Sequence, residues 1–270
     1  MQVLPSMQLS TLVKHYLYVE SNTYDIKKFR LFADGHSGMV FSFKNRLMLD
    51  SISLDSMNYL PYSFIYGQIG GFKNIYCINK TALLVVVFHP YGVHKLLGVP
   101  ANELIDQILD LSELFGIAGS EITEILFDNP TLFKRIQIIE SFLIKLLNGR
   151  ERGLHPLVSS SLEIIKHNDG LITIKQLVDY TGYSNKSIER KFMETIGVLP
   201  KQFSKLVKLN LYLKALRDGE HKNKFDSAYK IGYYDHSHLL KDFKRNTGVT
   251  PGQYVRDFDA LALNLLEYPK

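Results

Sequence analysis

The chain has 270 residues, 46% of them hydrophobic and 22% charged, with a net charge of +5. This is the composition of an ordinary globular protein, long enough for two domains at roughly 100–200 residues each. It excludes a transmembrane helix, because the longest apolar run, Ala82-Leu-Leu-Val-Val-Val-Phe88, has the length of a buried strand and falls short of the roughly 18 residues a span needs.

The single cysteine, Cys77, cannot form an intrachain disulfide or a thiolate cluster. Met1-Gln-Val-Leu-Pro5 has no basic segment ahead of an apolar stretch, so no signal peptide and a cytoplasmic location are expected. Charge is unevenly spread. Residues 1–154 carry 14 Lys+Arg and 14 Asp+Glu, whereas residues 155–256 carry 17 against 10. A basic segment beside a neutral one is the footprint of a phosphate-binding module, although solvated lysines on helices produce the same excess.

In chain order, residues 1–90 read as β-rich. Gly38–Phe43, Phe64–Tyr66, Asn74–Ile78 and Ala82–Phe88 are short runs of β-branched and aromatic residues, punctuated by Ala33-Asp-Gly-His36, Lys44-Asn45 and Gly70-Gly71. Residues 92–127 then read as short helices, with Pro100 and Asn102 near starts and Gly116 and Gly119 near stops. Asn129-Pro-Thr131 opens a longer helix. Its apolar stripe is Phe133, Ile136, Ile139, Phe142 or Leu143, and Leu146, and Gly149 ends it. The polar segment 148–153 marks a boundary. The expected layout is a β-rich domain at 1–130, a connecting helix and linker at 131–155, a helical domain at 156–258 and a tail at 259–270.

The helical domain contains two capping boxes, Thr173-Ile-Lys-Gln176 and Thr250-Pro-Gly-Gln253. It also contains an internal repeat. Thr181-Gly-Tyr-Ser-Asn-Lys-Ser-Ile-Glu-Arg-Lys-Phe192, followed by Gly197-Val-Leu-Pro200 and Gln202-Phe203, returns as Ile231-Gly-Tyr-Tyr-Asp-His-Ser-His-Leu-Leu-Lys-Asp-Phe243, followed by Gly248-Val-Thr-Pro251 and Gln253-Tyr254. The Gly-Tyr pairs are 50 residues apart and the later elements 51 apart, so the second copy has one extra residue. In each copy a helix ends at a glycine (Gly182 or Gly232) suited to a left-handed turn. The following tyrosine is expected to plug the hinge. A second helix is capped by Ser184 or near Asp235, with Ile188 and Phe192, or Leu239 and Phe243, on its inner face. This is the helix-turn-helix pattern, whose second helix enters the major groove. Between the copies, residues 200–217 read as a linker helix with Phe203, Leu206, Val207, Leu213 and Leu216 buried. At ~1.5 Å per residue its length is roughly 27 Å, against roughly 34 Å for one turn of B-DNA. One chain can thus set two reading helices about one turn apart.

Residues 163–256 resemble the AraC/XylS family of bacterial transcription regulators, most specifically through Gly232-Tyr-Tyr-Asp-His-Ser-His238, Phe243-Lys-Arg245 and Gly248-Val-Thr-Pro251. Phe32-Ala-Asp-Gly-His36, Phe88-His-Pro-Tyr-Gly92 and Leu97-Gly-Val-Pro-Ala101 carry a fainter resemblance to the β-rich companion domain of some such regulators. The resemblance implies an α+β protein: a β-rich N-terminal domain followed by an all-α domain with two helix-turn-helix units joined by a linker helix. It implies a non-enzymatic regulator whose partners are double-stranded DNA and RNA polymerase, with the companion domain sensing a small-molecule effector, forming a homodimer, or both. Activation and repression are left open. By the same resemblance, Lys186, Glu189 and Arg190 face bases in the first unit, and His236, Ser237 and Lys241 do so in the second. Arg190 suits a bidentate contact to guanine and Glu189 suits the cytosine amine. Ser184, Asn185, Lys191, His238 and Lys244 are assigned to phosphates. Arg245 suits an ion pair within its own domain as well as it suits DNA. Ser227 and Lys224 stand where the family usually has aliphatics, and Leu239 where it usually has Phe, which implies looser packing in the second unit.

Other chemistry finds less support. A DNA-repair alkyl-transfer enzyme with an attached helix-turn-helix module is the alternative, and it needs a reactive cysteine. Cys77 lies in the apolar Ile75-Tyr-Cys-Ile78, which disfavours a thiolate. His15, His36, His89 and His94 form no ligand pattern, and His236-x-His238 has no third ligand near it in sequence, so no metal and no cofactor are expected. Phe29, Phe32, Phe41, Phe43, Tyr59, Tyr62, Phe64 and Tyr66 suit either an effector pocket or an ordinary core.

Overall fold

The computed structural model describes residues 1–49, 58–148, 153–218 and 236–268. The chain divides into two compact units. The first comprises Met1–Lys28, His36–Gln68 and Ile75–Gly153; the second comprises Phe29–Gly35, Ile69–Asn74 and Leu154–Lys270.

The first unit is built on a six-stranded antiparallel sheet of β1 (Gln2–Val3), β2 (Val13–Ser21), β4 (Gly38–Ser42), β7 (Ser63–Tyr66), β9 (Thr81–Phe88) and β10 (Ile108–Asp110), in the order β1-β2-β9-β4-β7-β10. β9 is central, pairing Val86 with Tyr16 of β2 and Val85 with Val40 of β4. A central strand covered on both faces takes a continuous apolar run instead of an alternating one, which is why Ala82–Phe88 is so uniformly hydrophobic. β5 (Leu47–Leu49) and β6 (Asn58–Tyr59) form a smaller ladder, with Leu47 opposite Cys77 on β8 (Phe72–Ile78).

Among the described residues, the α-helices of this unit are α1 (Gly92–Leu97), α2 (Leu111–Phe115), α3 (Ile117–Asp128) and α4 (Leu132–Leu147). The expected stops differ at Gly119, which lies inside α3. A methyl there would sit 1.9 Å from the Leu111 carbonyl, so this glycine lets α2 and α3 approach closely. On α4, Ile136, Ile139 and Leu143 are buried in the core with Phe41, Leu84 and Val86. Phe133 departs from the expected stripe and is 65% exposed. Arg135 is buried instead, its guanidinium 3.6 Å from the Phe43 ring centre and its Nε donating to the Leu126 carbonyl at 3.0 Å. Glu140 accepts from the Ser6 amide (2.7 Å) and the Tyr16 hydroxyl (3.2 Å), tying α4 to the N-terminal segment and β2. Gly149 lies outside the described residues.

β3 (Ile26–Phe32) and β8 contribute residues to both units, with 29–32 and 72–74 falling in the second. Among the described residues, the second unit also contains the helices α5 (Pro156–His167), α6 (Ile174–Thr181), α7 (Asn185–Ile196), α8 (Pro200–Arg217), α9 (His236–Thr247) and α10 (Pro251–Arg256). The segment 259–270, expected to be a tail, contains a β-hairpin of β11 (Asp259–Ala262) and β12 (Leu265–Glu267). β12 pairs antiparallel with β3, Leu266 opposite Arg30. Among the described residues no helix is long and apolar enough to cross a membrane.

α8 does not follow a single stripe. Phe203, Leu206, Leu213 and Leu216 are buried as expected, but so are Leu209 and Tyr212, while Val207 is only half-buried. At about 100° per residue, Phe203 and Leu206 point to one side and residues 209, 212, 213 and 216 centre roughly 100° away. The helix buries one face in its first half and another in its second. Phe203 meets Phe192 of α7, whereas Leu209, Tyr212, Leu213 and Leu216 join Leu239 and Phe243 of α9 and Tyr254 of α10.

Candidate nucleic-acid interface

The first helix-turn-helix is α6 and α7, packed on α5 and α8. Thr173 and Gln176 form the reciprocal cap at the start of α6. α6 ends at Gly182 in the left-handed region (φ +71°), where a Cβ would meet no atom within 4 Å, so the glycine is required by backbone conformation alone. Tyr183 does not plug the hinge. It is 40% exposed and meets His155 edge-on, with ring centres 6.3 Å apart. Ser184 caps α7, its hydroxyl accepting from the Ser187 amide at 3.3 Å.

Ile188 and Phe192 have no exposed surface, which fixes the rotation of α7. Its opposite face carries Lys186 and Arg190, both exposed, and Glu189, half-buried. None of these three, nor exposed Asn185, has a hydrogen-bond or ion-pair partner among the described residues. Three side chains at i, i+3 and i+4 thus share one unengaged face in the N-terminal half of the helix, the part that meets base edges in helix-turn-helix proteins. Lys191 is engaged, pairing with Glu194 at 2.8 Å. A partly exposed i,i+3 pair of this kind is worth only about 0.3–0.5 kcal/mol, so a phosphate can displace the carboxylate at little cost. Tyr180, near the C-terminal end of α6, is 70% exposed and is not singled out by the sequence pattern.

In the second unit, residues 219–235 lie outside the described residues, and with them Lys224, Ser227, Gly232 and the Asp235 cap. α9 is described. Leu239 and Phe243 have no exposed surface, while Ser237, Lys241 and Lys244 are exposed. Lys241 and Lys244 have no partner among the described residues. Arg245 has no ion pair there. The side chains of His236 and His238 lie outside the described residues. The Thr250–Gln253 capping box forms as expected.

The remaining candidates are embedded in structure. Cys77 is fully buried, and desolvation pushes its thiol up from the usual range, the opposite of what a nucleophile needs. His36 bonds the Phe88 carbonyl and the Lys14 ammonium, His89 the Ser10 carbonyl, and His94 the Val99 carbonyl. Among the described residues no cluster of His, Cys, Asp and Glu suits a metal ion. Of the eight aromatics, Phe29 and Phe32 are buried in the second unit, Phe41 lies in the core of the first, and Tyr59 and Tyr62 are exposed.

Residues 177–257 match the model of a family described as a helix-turn-helix domain, and residues 1–110 match that of a domain of unknown function, DUF6597. No curated protein matches. Among solved structures, ToxT from Vibrio cholerae in its P21 crystal form is 11% identical with a TM-score of 0.51, over 89% of this chain and 97% of that one. ToxT from Vibrio cholerae O395 is 12% identical with a TM-score of 0.50, over 91% and 97%. The same protein bound to (E)-4-(8-methylnaphthalen-1-yl)but-3-enoic acid is 13% identical with a TM-score of 0.51, over 89% and 97%. At these identities the likeness is one of fold.

Proposed function

We propose that this chain is a DNA-binding transcription regulator of the AraC/XylS type and reads two adjacent major-groove segments with α7 and α9, a reading supported by the helix-turn-helix family match and the shared fold. The observation that carries the reading is the unengaged face of Lys186, Glu189 and Arg190 on a helix whose other face is fully buried. Arg190 contacts guanine O6 and N7, Glu189 accepts from a cytosine amine, and Lys186 reaches an adjacent base edge. On α9, His236, Ser237 and Lys241 take the corresponding roles. Ser184, Asn185, Lys191, His238 and Lys244 hold phosphates, with Ser184 donating its hydroxyl proton while it caps the helix. Binding alters transcription through contact with RNA polymerase or by occluding it.

The first unit is read as the control domain. ToxT has been solved with an apolar carboxylic acid bound, and the shared fold supports a small apolar carboxylic acid as the effector here. A homodimer formed through α4 has to use the exposed side of that helix, Phe133, Lys134, Gln137, Ser141 and Lys145, because its apolar stripe is buried within its own unit. The test of the DNA reading is titration of a duplex selected by the full chain against wild type and Arg190→Ala. The variant loses discrimination at one base pair, at a cost of about 1–3 kcal/mol. Unchanged affinity and unchanged sequence preference reject the assignment.

A further inference from the structure

The repeat presents the two reading units as twins, but their surroundings differ. α7 ends at Gly197, whose carbonyl has no side-chain partner among the described residues. α9 ends at Gly248, in the left-handed region (φ +73°), and its carbonyl accepts a hydrogen bond of 3.0 Å from Arg30 Nη1, a residue 218 positions away. Arg30 is only 8% exposed. Its Nε donates to Asn74 Oδ1 at 3.0 Å, and its guanidinium lies 4.4 Å from the Phe72 ring centre and 5.2 Å from that of Tyr268. A buried guanidinium held between two rings and two oxygens has one geometry, so it defines where the end of α9 lies.

Strand and hairpin extend this support. β12 pairs with β3 at Leu31, Arg30 and Phe29. Asn264 closes the ladder, its carbonyl accepting from the Phe32 amide (3.1 Å) and its side chain donating to the Phe32 carbonyl (3.2 Å). Phe32 and Leu266, neither with exposed surface, pack in one core with Leu239, Phe243, Val249 and Tyr254. The Tyr254 hydroxyl donates to the Leu263 carbonyl at 3.2 Å. The inner face of the second reading helix is therefore covered in part by residues outside the repeat.

We infer that Arg30 is a positioning residue for DNA reading by the second helix-turn-helix, and that β3 with the C-terminal hairpin completes that reading unit. The first helix-turn-helix packs on α5 and α8. The inference rests on α9 being a groove-reading helix. It adds that the orientation of α9 is set by a cation at its C-terminal end, where the helix dipole favours positive charge.

The experiment uses the full-length chain and a duplex it selects from a random pool, together with two derivatives in which one half or the other is scrambled. Affinity is read by fluorescence anisotropy. Arg30→Ala is expected to lose about tenfold on the intact duplex, the scale of one charged hydrogen bond. It is expected to lose the same factor when the α7 half is scrambled, and nothing when the α9 half is scrambled. Arg30→Lys, which keeps the cation over Phe72, recovers part of the loss. Equal losses on both scrambled duplexes mean a merely structural role and overturn the inference, as does no loss anywhere. If Arg30→Ala does not fold, Tyr268→Ala, which removes one ring from the guanidinium, is expected to show the same asymmetry at about threefold. Symmetric or absent loss in that variant overturns the inference equally. Arg190→Ala and Lys241→Ala, run beside these, separate the two claims. If each weakens its own half while Arg30→Ala does not, the groove reading stands and the positioning role falls.

Discussion

Phe203 of α8 meets Phe192 of α7 edge-on, with ring centres 6.3 Å apart and planes at 66°. Both rings are buried, so α8 and α7 are joined through an aromatic pair. Phe192→Ala is expected to destabilise the protein by about 3–5 kcal/mol, the usual cost of removing a buried Phe. The pair itself should show a coupling of about 0.5–1.5 kcal/mol in a double-mutant cycle with Phe203→Ala, measured by chemical denaturation. Additive losses would mean that the two rings merely share a core.

Lys191 and Arg190 are neighbours with different expected signatures. Lys191→Ala should weaken binding to all sequences alike and lower the salt slope by about one, because the contact proposed for it is to phosphate. Arg190→Ala should change base preference while altering that slope less. Affinity measured across a salt series for selected and scrambled duplexes distinguishes them.

Gly182 and Gly248 both have positive φ, but their surroundings differ. Gly182→Ala meets open space, and its expected cost is the left-handed penalty alone, about 1–2 kcal/mol. Gly248→Ala adds contacts of 2.6 Å to Arg30 Nη1 and 2.8 Å to the Phe72 ring, so its cost should be larger. Thermal or denaturant unfolding of the two variants gives the order directly.

Burial, reinforced by Lys14 and His89, holds the His15 imidazolium down, so that His15 titrates at about 4 in the fold. An unfolded histidine titrates near 6.5. Between these values the unfolded chain takes up a proton that the folded chain refuses, so the stability contributed by neutral His15 is complete above about pH 6.5 and lost as the pH falls toward 4. His15→Gln should flatten the dependence of unfolding free energy on pH across that window. An unchanged slope would show that His15 is not the group responsible.

Cys77 separates the regulator from the alkyl-transfer alternative. The buried, pKa-raised thiol should react with thiol reagents only on unfolding, and Cys77→Ala should retain DNA binding. Alkyl transfer from damaged DNA to Cys77 in the native protein would support the enzyme.

The parts of this architecture legible in the sequence are those written in local chemistry. The caps at Thr173 and Thr250, the left-handed stop at Gly182 and the inward Ile188 and Phe192 follow from spacing and residue type alone. β9 is legible because a central strand needs an unbroken apolar run. β2 and β3 are not, because each mixes charged residues such as Lys14, Lys27 and Arg30 with its buried ones. A single periodic stripe marks Val207 as buried and misses Leu209, because α8 buries different faces along its length. The pairing of Arg30 with Gly248 and the hairpin's place beside β3 are long-range facts with no local signal.

The most direct test is selection of bound duplexes from a random DNA pool by the full-length chain. Two reading helices on a rod of roughly 27 Å predict a bipartite site with half-site centres ~10 bp apart, and Arg190→Ala should blur one half only. Enrichment of a single short site, or blurring of both halves together, would contradict the account.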